Sequence, residues 1–170
     1  MNFQPPLIRY SLQPTTPRTF RILLDSLNGE NGQDKFEILR RISFYQRGFE
    51  TCYIALTESG EICHLSWLLS ARHNDLIRDQ YPPGMRELDD GDVLQENVFT
   101  FPPYRRKGIM TSVTLDLANI ARGQGFRRVL AYVDIENKPS LRAFHRAGFR
   151  SYDEEHEVRR FFRIWRENCS

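Results

Sequence analysis

Residues 92–135 read DVLQENVFTFPPYRRKGIMTSVTLDLANIARGQGFRRVLAYVDI, and their reading decides the fold. DVLQENVFTF has the composition of a strand, and Pro102-Pro103 must end it, since proline supplies no amide to a ladder. A helix follows from about Lys107, with Val113, Leu117 and Ile120 on one stripe and Gly123 or Gly125 closing it. RRVLAYVDI is a second strand, and KPSLRAFHRAG, residues 138–148, a second helix. Strand–helix–strand connections of this length place the two strands parallel in one sheet.

Upstream, Ile8, Tyr10 and Leu12 alternate as on a first strand. Thr16-Pro17 reads as an N-cap with proline at the first helical position. Phe20, Leu23, Leu24 and Leu27 continue that helix, and Gly29 can end it. A second helix spans about Asp34 to Arg47, with Ile38, Leu39, Ile42 and Tyr45 inward and Gly48 as its stop. TCYIALT, ESGE and ICHLSWLLS form a β-hairpin. Its register puts Cys52 near Trp67 and Cys63 near Leu56, so the two thiols do not face each other. Residues 71–90 are polar and turn-rich around Pro82-Pro83-Gly84 and read as a short helix and a loop. FRSYDEEHEVRRFFRIWRE reads as two strands around an acidic turn, with Trp67, Phe161 and Trp165 as core candidates. The expected class is mixed α/β: a mostly antiparallel sheet with one parallel pair, flanked by helices, in one domain over residues 1–170.

A length of 170 residues with 40% apolar content suffices for one sizeable core. The 24 basic and 22 acidic residues leave a net charge of +2, too even for the bulk field of a nucleic-acid or membrane binder. No window approaches the ~18 apolar residues of a membrane span. MNFQPPLIRY does not read as a secretory leader, and three cysteines without paired spacing fit a reducing, cytosolic compartment. Cys63 and His64 are neighbours on a strand, so no metal site is expected from them.

Arg105, Arg106, Lys107 and Gly108 put three adjacent cations at a strand-to-helix turn. A helix start leaves backbone N–H groups unpaired and carries partial positive charge, so strand, glycine and helix start together make a concavity suited to a diphosphate. The bland alternative is a solvated charged corner. A phosphate-loop lysine would follow its glycine, whereas Lys107 precedes Gly108, and Gly123-Gln124-Gly125 closes a helix where a dinucleotide fingerprint would open one.

The sequence from Glu96 to Phe149 resembles the core of the GNAT (Gcn5-related N-acetyltransferase) superfamily. Arg105 and Gly108 match the family's loop of Gln or Arg, two residues, Gly, one residue, then Gly or Ala. Asn137, Ser140, Gly148 and Phe149 match its later Asn–Ser–Gly–Phe pattern. The resemblance covers roughly residues 92–150. It implies a fold whose fourth and fifth strands splay apart to admit acetyl-CoA (coenzyme A). It implies that main-chain groups around Arg106, Lys107, Gly108, Ile109, Met110 and Thr111 hold the pyrophosphate. Val98, Phe99 and Thr100 would then pair with the pantetheine arm, and Asn137 would contact the cofactor's amide arm or cap its helix. An N–H near Phe99 or Thr100 would receive the thioester oxygen. Met110 departs from the pattern, standing where Gly or Ala is usual.

Amine attack on a thioester needs a proton acceptor. Gln95, Glu96 and Asn97 are consecutive polar residues in a central strand, where apolar residues are cheaper to bury. Glu96 matches a position often acidic in the family and is the candidate base; its alternative is an ion pair with an arginine. Phe144 stands where many relatives have an acidic tyrosine, so no general acid is assigned; Tyr132, Ser140 and His145 are nearby. The expected function is acetyl transfer to a primary amine of a small molecule, an amino sugar being one acceptor class. The acceptor side would come from about residues 17–48 and 70–92. The alternative is a non-catalytic CoA-binding module, favoured by Phe144 and Met110. Neither nucleic acid nor membrane is an expected partner, and relatives of this kind are often homodimers.

Overall fold

The computed structural model describes residues 5–27, 32–81 and 87–151, with the backbone of residues 155–160 and 163–168. Gly29, Pro82-Pro83-Gly84 and the side chains of Phe161 and Trp165, named above as turn signals and core candidates, lie outside the described residues. The chain runs β1 (Tyr10–Pro14), α1 (Pro17–Ser26), α2 (Gly32–Gln46), β2 (Cys52–Thr57), β3 (Ile62–Ser70), α3 (Asn74–Gln80), β4 (Asp92–Thr100), α4 (Ile109–Gly123), β5 (Arg128–Leu130), α5 (Lys138–Arg146), β6 (Glu155–Arg160) and β7 (Arg163–Asn168). A five-stranded sheet has the order β1-β2-β3-β4-β5, antiparallel except for the parallel pair β4–β5. β6 and β7 pair antiparallel as a separate two-stranded sheet. Among the described residues, no helix is long and apolar enough to cross a membrane.

Local chemistry explains the boundaries. Thr16 caps α1 by accepting from the Thr19 N–H at 3.2 Å, and the Thr19 hydroxyl accepts from the Thr16 N–H at 2.7 Å. β3 is buried from Ile62 to Leu69, as the centre of a two-sided sheet must be. On one face Leu23, Ile38, Ile42, Phe44, Phe49, Trp67 and Phe99 form the larger core under α1, α2 and α3. Phe44 stacks on Phe49 at 4.1 Å, and the Trp67 indole N–H donates to the Phe49 carbonyl at 2.8 Å. On the other face Val93, Ile109, Val113, Leu117 and Ala121 pack α4 against the sheet. Gln95 points to this second face, donating from Nε2 to the hydroxyls of Ser66 and Thr114 at 3.1 Å each.

Four expectations need correcting. In α2 the inward stripe holds Arg41 and Phe44, whereas Leu39 is 44% exposed. The strand read over RRVLAYVDI is confined to Arg128–Leu130, since β5 pairs with β4 no further than Leu94–Leu130. The acidic run does not separate the last two strands: it contributes Glu155 and Glu157 to β6, which ends at Arg160, and β7 begins at Arg163. The hairpin carries a bulge at Cys63, between the Ala55–His64 and Leu56–Ile62 pairs. Cys52 lies opposite Trp67 as expected, and Cys52 and Cys63 are buried free thiols.

His64 is fully buried in β3, with Nδ1 2.8 Å from the Thr100 hydroxyl. Burial first, and then the Arg41 charge, push its pKa down to about 3. A depressed folded-state value means that protons favour the unfolded chain, so this contribution to stability is present above pH ~6.5 and lost as pH falls toward 3. In urea titrations, stability should fall with acidification by up to ~1.4 kcal/mol per pH unit across that window from this group. His64→Gln, which can still bond Thr100, should flatten that slope; an unchanged slope would show that His64 does not titrate as described.

Candidate active site

The three cations of the loop have different fates. Arg105 is already engaged: Nε donates to the Thr100 carbonyl at 3.0 Å, and Nη2 pairs with Asp34 of α2 at 2.8 Å. The Lys107 ammonium lies 5.6 Å from the Tyr104 ring centroid, and Tyr104 in turn donates to Glu61 at 2.8 Å. Arg106 is exposed and makes no ion pair among the described residues. Its φ of 61° and the φ of 79° at Gly108 alternate left-handed backbone through the turn. Gly108 is the residue before α4, a position where a side chain would be strained, and a Cβ there would also come within 3.4 Å of the Pro6 Cα. The Lys107 carbonyl accepts from the Leu7 N–H at 3.0 Å, and the Gly108 carbonyl accepts from Ser112 at 3.1 Å. The N–H groups of Ile109, Met110 and Thr111 belong to the first turn, where a helix offers its unpaired donors. Met110 is partly buried there. The loop therefore presents helix donors and one unspent guanidinium, which fits a diphosphate.

The second element is a wedge. β4 and β5 pair at Asp92–Arg128, Val93–Val129 and Leu94–Leu130 and nowhere beyond. The Asp92 carboxylate fastens the base of this wedge to Arg128 at 2.6 and 2.7 Å. Further along β4 a bulge intervenes: Trp67 opposes Glu96 and Leu65 opposes Phe99, and Asn97 between them has φ 54°. Past the bulge, the Phe101 N–H donates to the Cys63 carbonyl at 3.1 Å. That bond sets the phase of the ladder, so Phe99 and Phe101 address β3 while Val98 and Thr100 turn their amides toward the wedge. The N–H on the open side thus belongs to Val98 and Thr100, not to Phe99. Two arginines hold the matching carbonyls: Arg41 Nη2 donates to Val98 at 3.2 Å, and Arg105 Nε to Thr100. The same guanidiniums lie 4.4 and 5.5 Å from the Phe99 ring centroid.

Glu96 lies on the α2 face of β4, partly buried, and borders a cavity of about 330 Å³. Arg40, Ser43 and Phe44 of α2, Arg47 just past its end, Gln80 of α3, Tyr81 and Asn97 also line it. Burial raises the Glu96 carboxyl above the usual carboxylate range, against the opposing pull of the Asn97 backbone N–H and the Arg41 charge. A carboxyl in this state can exchange protons nearer neutrality than an exposed one. Among the described residues Glu96 makes no ion pair with an arginine; Arg41 pairs with Glu37 instead, at 2.6 Å.

Arg41 was invisible to helical periodicity. It is 8% exposed, wedged between Glu37, the Val98 carbonyl and Phe99. Its bond to Glu37 holds that carboxyl below the usual range. The sequence signal that could have found it is the i, i+4 Glu37–Arg41 spacing on an otherwise apolar helix face.

Around α5, Asn137 caps the helix, its Oδ1 accepting from the Ser140 N–H at 3.2 Å. Phe144 is buried edge-on to Phe149 at 5.0 Å, so the position of the usual tyrosine is core here. His145 is exposed and Ser140 partly so. The elements bring together Glu96, the open edge of β4 and the loop of residues 105–111; Asn137 is exposed at the start of α5, which meets α4 through the Thr111 hydroxyl and the Ala143 carbonyl.

The family model described as Acetyltransferase (GNAT) family matches residues 20–149. No curated protein matches the sequence at a significant level. Among solved structures, an aminoglycoside acetyltransferase AAC(6')-Ib in complex with coenzyme A is similar at 16% identity, with 88% of this chain and 87% of that chain covered and a TM-score of 0.63. The aminoglycoside 6'-N-acetyltransferase AAC(6')-Ih of Acinetobacter baumannii is similar at 16% identity, covering 91% and 98%, with a TM-score of 0.55. Glucosamine-6-phosphate N-acetyltransferase of Arabidopsis thaliana is similar at 14% identity, covering 91% and 99%, with a TM-score of 0.51. Identities this low establish a shared fold.

Without Glu37, Arg41 is a buried cation lacking compensation, whereas without Arg41 the Glu37 carboxylate is a quarter exposed and still meets Arg40. Glu37→Ala should therefore destabilise by about 2–4 kcal/mol in chemical denaturation, and Arg41→Met by less. A larger loss for Arg41→Met would mean that the guanidinium itself, through Val98 and Phe99, is the main stabiliser.

Proposed function

The chain belongs to the GNAT acetyltransferase family, and from that premise we propose that it transfers an acetyl group from acetyl-CoA to a primary amine of a small molecule. The observation that carries this reading is the open edge of β4 beside the loop of residues 105–111, with Glu96 on the adjoining cavity wall. The coenzyme A and acetyl-CoA present in solved structures of this fold support the choice of cosubstrate. The aminoglycoside and glucosamine 6-phosphate enzymes among them support an amine acceptor and make an amino sugar one class to test.

Bound acetyl-CoA supplies an activated thioester. The start of α4 and Arg106 are suited to the diphosphate. The Thr100 and Val98 N–H groups are the donors for the pantetheine amides and the thioester oxygen, where developing negative charge needs a fixed dipole. Glu96 takes the ammonium proton at its carboxylate, directly or through one water, so that the amine attacks neutral. Asn137, whose Oδ1 is committed to its helix cap, keeps its amide NH₂ for the cofactor arm. Residues 92–150 would form the cofactor half of a single domain, and α1, α2 and the segment of residues 70–92 the acceptor half. The cavity walls contributed by α2 and by Gln80 and Tyr81 support that division. A second reading, a non-catalytic CoA-binding module, is favoured by the burial of Phe144.

Acetyl-CoA at a hundred times its dissociation constant should stabilise the protein by ~2.7 kcal/mol, visible as a higher Tm. An amine panel should then release free CoA thiol; stabilisation without release by any amine would select the non-catalytic module. Glu96→Gln should bind acetyl-CoA normally and lose about 10²–10⁴-fold in kcat. Because Glu96 acts as a base only when ionised, the rate should rise with pH, and its midpoint should lie above the 4.5 of an ordinary glutamate. That limb should vanish in Glu96→Gln; its persistence would assign the base elsewhere.

A further inference from the structure

Among the described residues, the acceptor cavity carries more positive than negative charge: two guanidiniums, Arg40 and Arg47, and one carboxylate, Glu96, line it. Arg40 lies on α2 and Arg47 directly follows it, its N–H still donating to the Ser43 carbonyl at 3.0 Å, so the two stand seven residues apart, about two turns or ~10.5 Å along the axis and on the same face. Ser43 and Phe44 lie between them in the same lining. Their side chains are long enough to converge on one group above that stretch.

Neither guanidinium is strongly neutralised. Arg40 shares Glu37 with Arg41, and Arg41 holds the shorter bond, 2.6 Å against 3.3 Å. The Arg40 side chain is 62% exposed. Arg47 lies over the Phe44 ring at 5.7 Å and makes no ion pair among the described residues. Gln80 Nε2 donates to the Arg47 carbonyl at 3.1 Å, fixing the end of α2 against the segment that closes the cavity. Once the amine of an acceptor engages Glu96, the described lining retains two cations and no further carboxylate. A polycationic acceptor would set further positive charge beside them.

We propose, resting on the acetyl-transfer reading above, that the acceptor is a primary amine that also carries an anionic group, a phosphate or a carboxylate. Its amine meets Glu96 and its anion meets Arg40 and Arg47. Arginine forks suit both anions, through paired N–H donors to two oxygens.

Equilibrium binding tests this without requiring turnover. The probes are matched pairs: glucosamine 6-phosphate against glucosamine, and serine against serinamide, with spermidine as a polycation. In calorimetry the anionic member of at least one pair should bind tenfold or more tighter than its partner, and the pair with the larger ratio identifies phosphate or carboxylate. An Arg40→Ala, Arg47→Ala double variant should lose that preference and still be stabilised by acetyl-CoA. Spermidine or the uncharged partners binding as tightly, no binding of any probe at millimolar concentration, or a preference that survives in the double variant would each overturn the proposal. An intact anion preference in a protein that acetyl-CoA fails to stabilise would leave this site standing and remove the acetyl-transfer reading.

Discussion

The structure depends on where one pair of parallel strands stops pairing. β4 and β5 share three residue pairs, clamped at their base by Asp92 and Arg128, and then part. A half-paired strand in the middle of a sheet is ordinarily costly, since buried amides need partners. Here the cost is divided by direction. The outward carbonyls of Val98 and Thr100 are taken by Arg41 and Arg105, while the outward amides are left to the wedge. The edge is thereby made selective: it offers donors to whatever enters, as a strand awaiting a partner does.

The same two arginines link this edge to the rest of the molecule. Arg41 brings α2 onto β4 and Phe99, and Arg105 ties the loop back to Asp34 on the first turn of α2. Of the three loop cations, one is structural, one lies over an aromatic ring, and one makes no ion pair among the described residues and can meet an anion. The division between sites is electrostatic as well. Glu96 sits on the other side of the bulge, in surroundings that disfavour its charge, while positive groups gather at the helix start. A carboxylate nearer the loop would oppose binding of a diphosphate and would be too firmly ionised to act as a base.

Much of this was legible because it rests on local rules. Pro102-Pro103 had to end β4, and Gly108 had to precede a helix, since each fixes a backbone geometry that no partner needs to supply. Glu96 stood out because a charged residue in a central strand is expensive. What escaped reading depends on partners distant in sequence. Residues 131–135 have a strand's composition, but composition cannot say that β4 has already turned away. Periodicity favours Leu39 over Arg41 because it ranks side chains by polarity, and the compensation for burying Arg41 comes from Glu37, one turn away, and from Val98, fifty-seven positions on. The direction of the Thr100 and Phe99 amides likewise follows from a bulge at Asn97 that no residue type announces.

Residue-resolved amide exchange of the protein with and without saturating acetyl-CoA addresses the open edge directly. The account predicts that the Val98 and Thr100 amides exchange rapidly in the free protein and become protected when the cofactor binds, while Phe99 and Phe101, already bonded to β3, change little. Bound acetyl-CoA that leaves Val98 and Thr100 exchanging as before would contradict it.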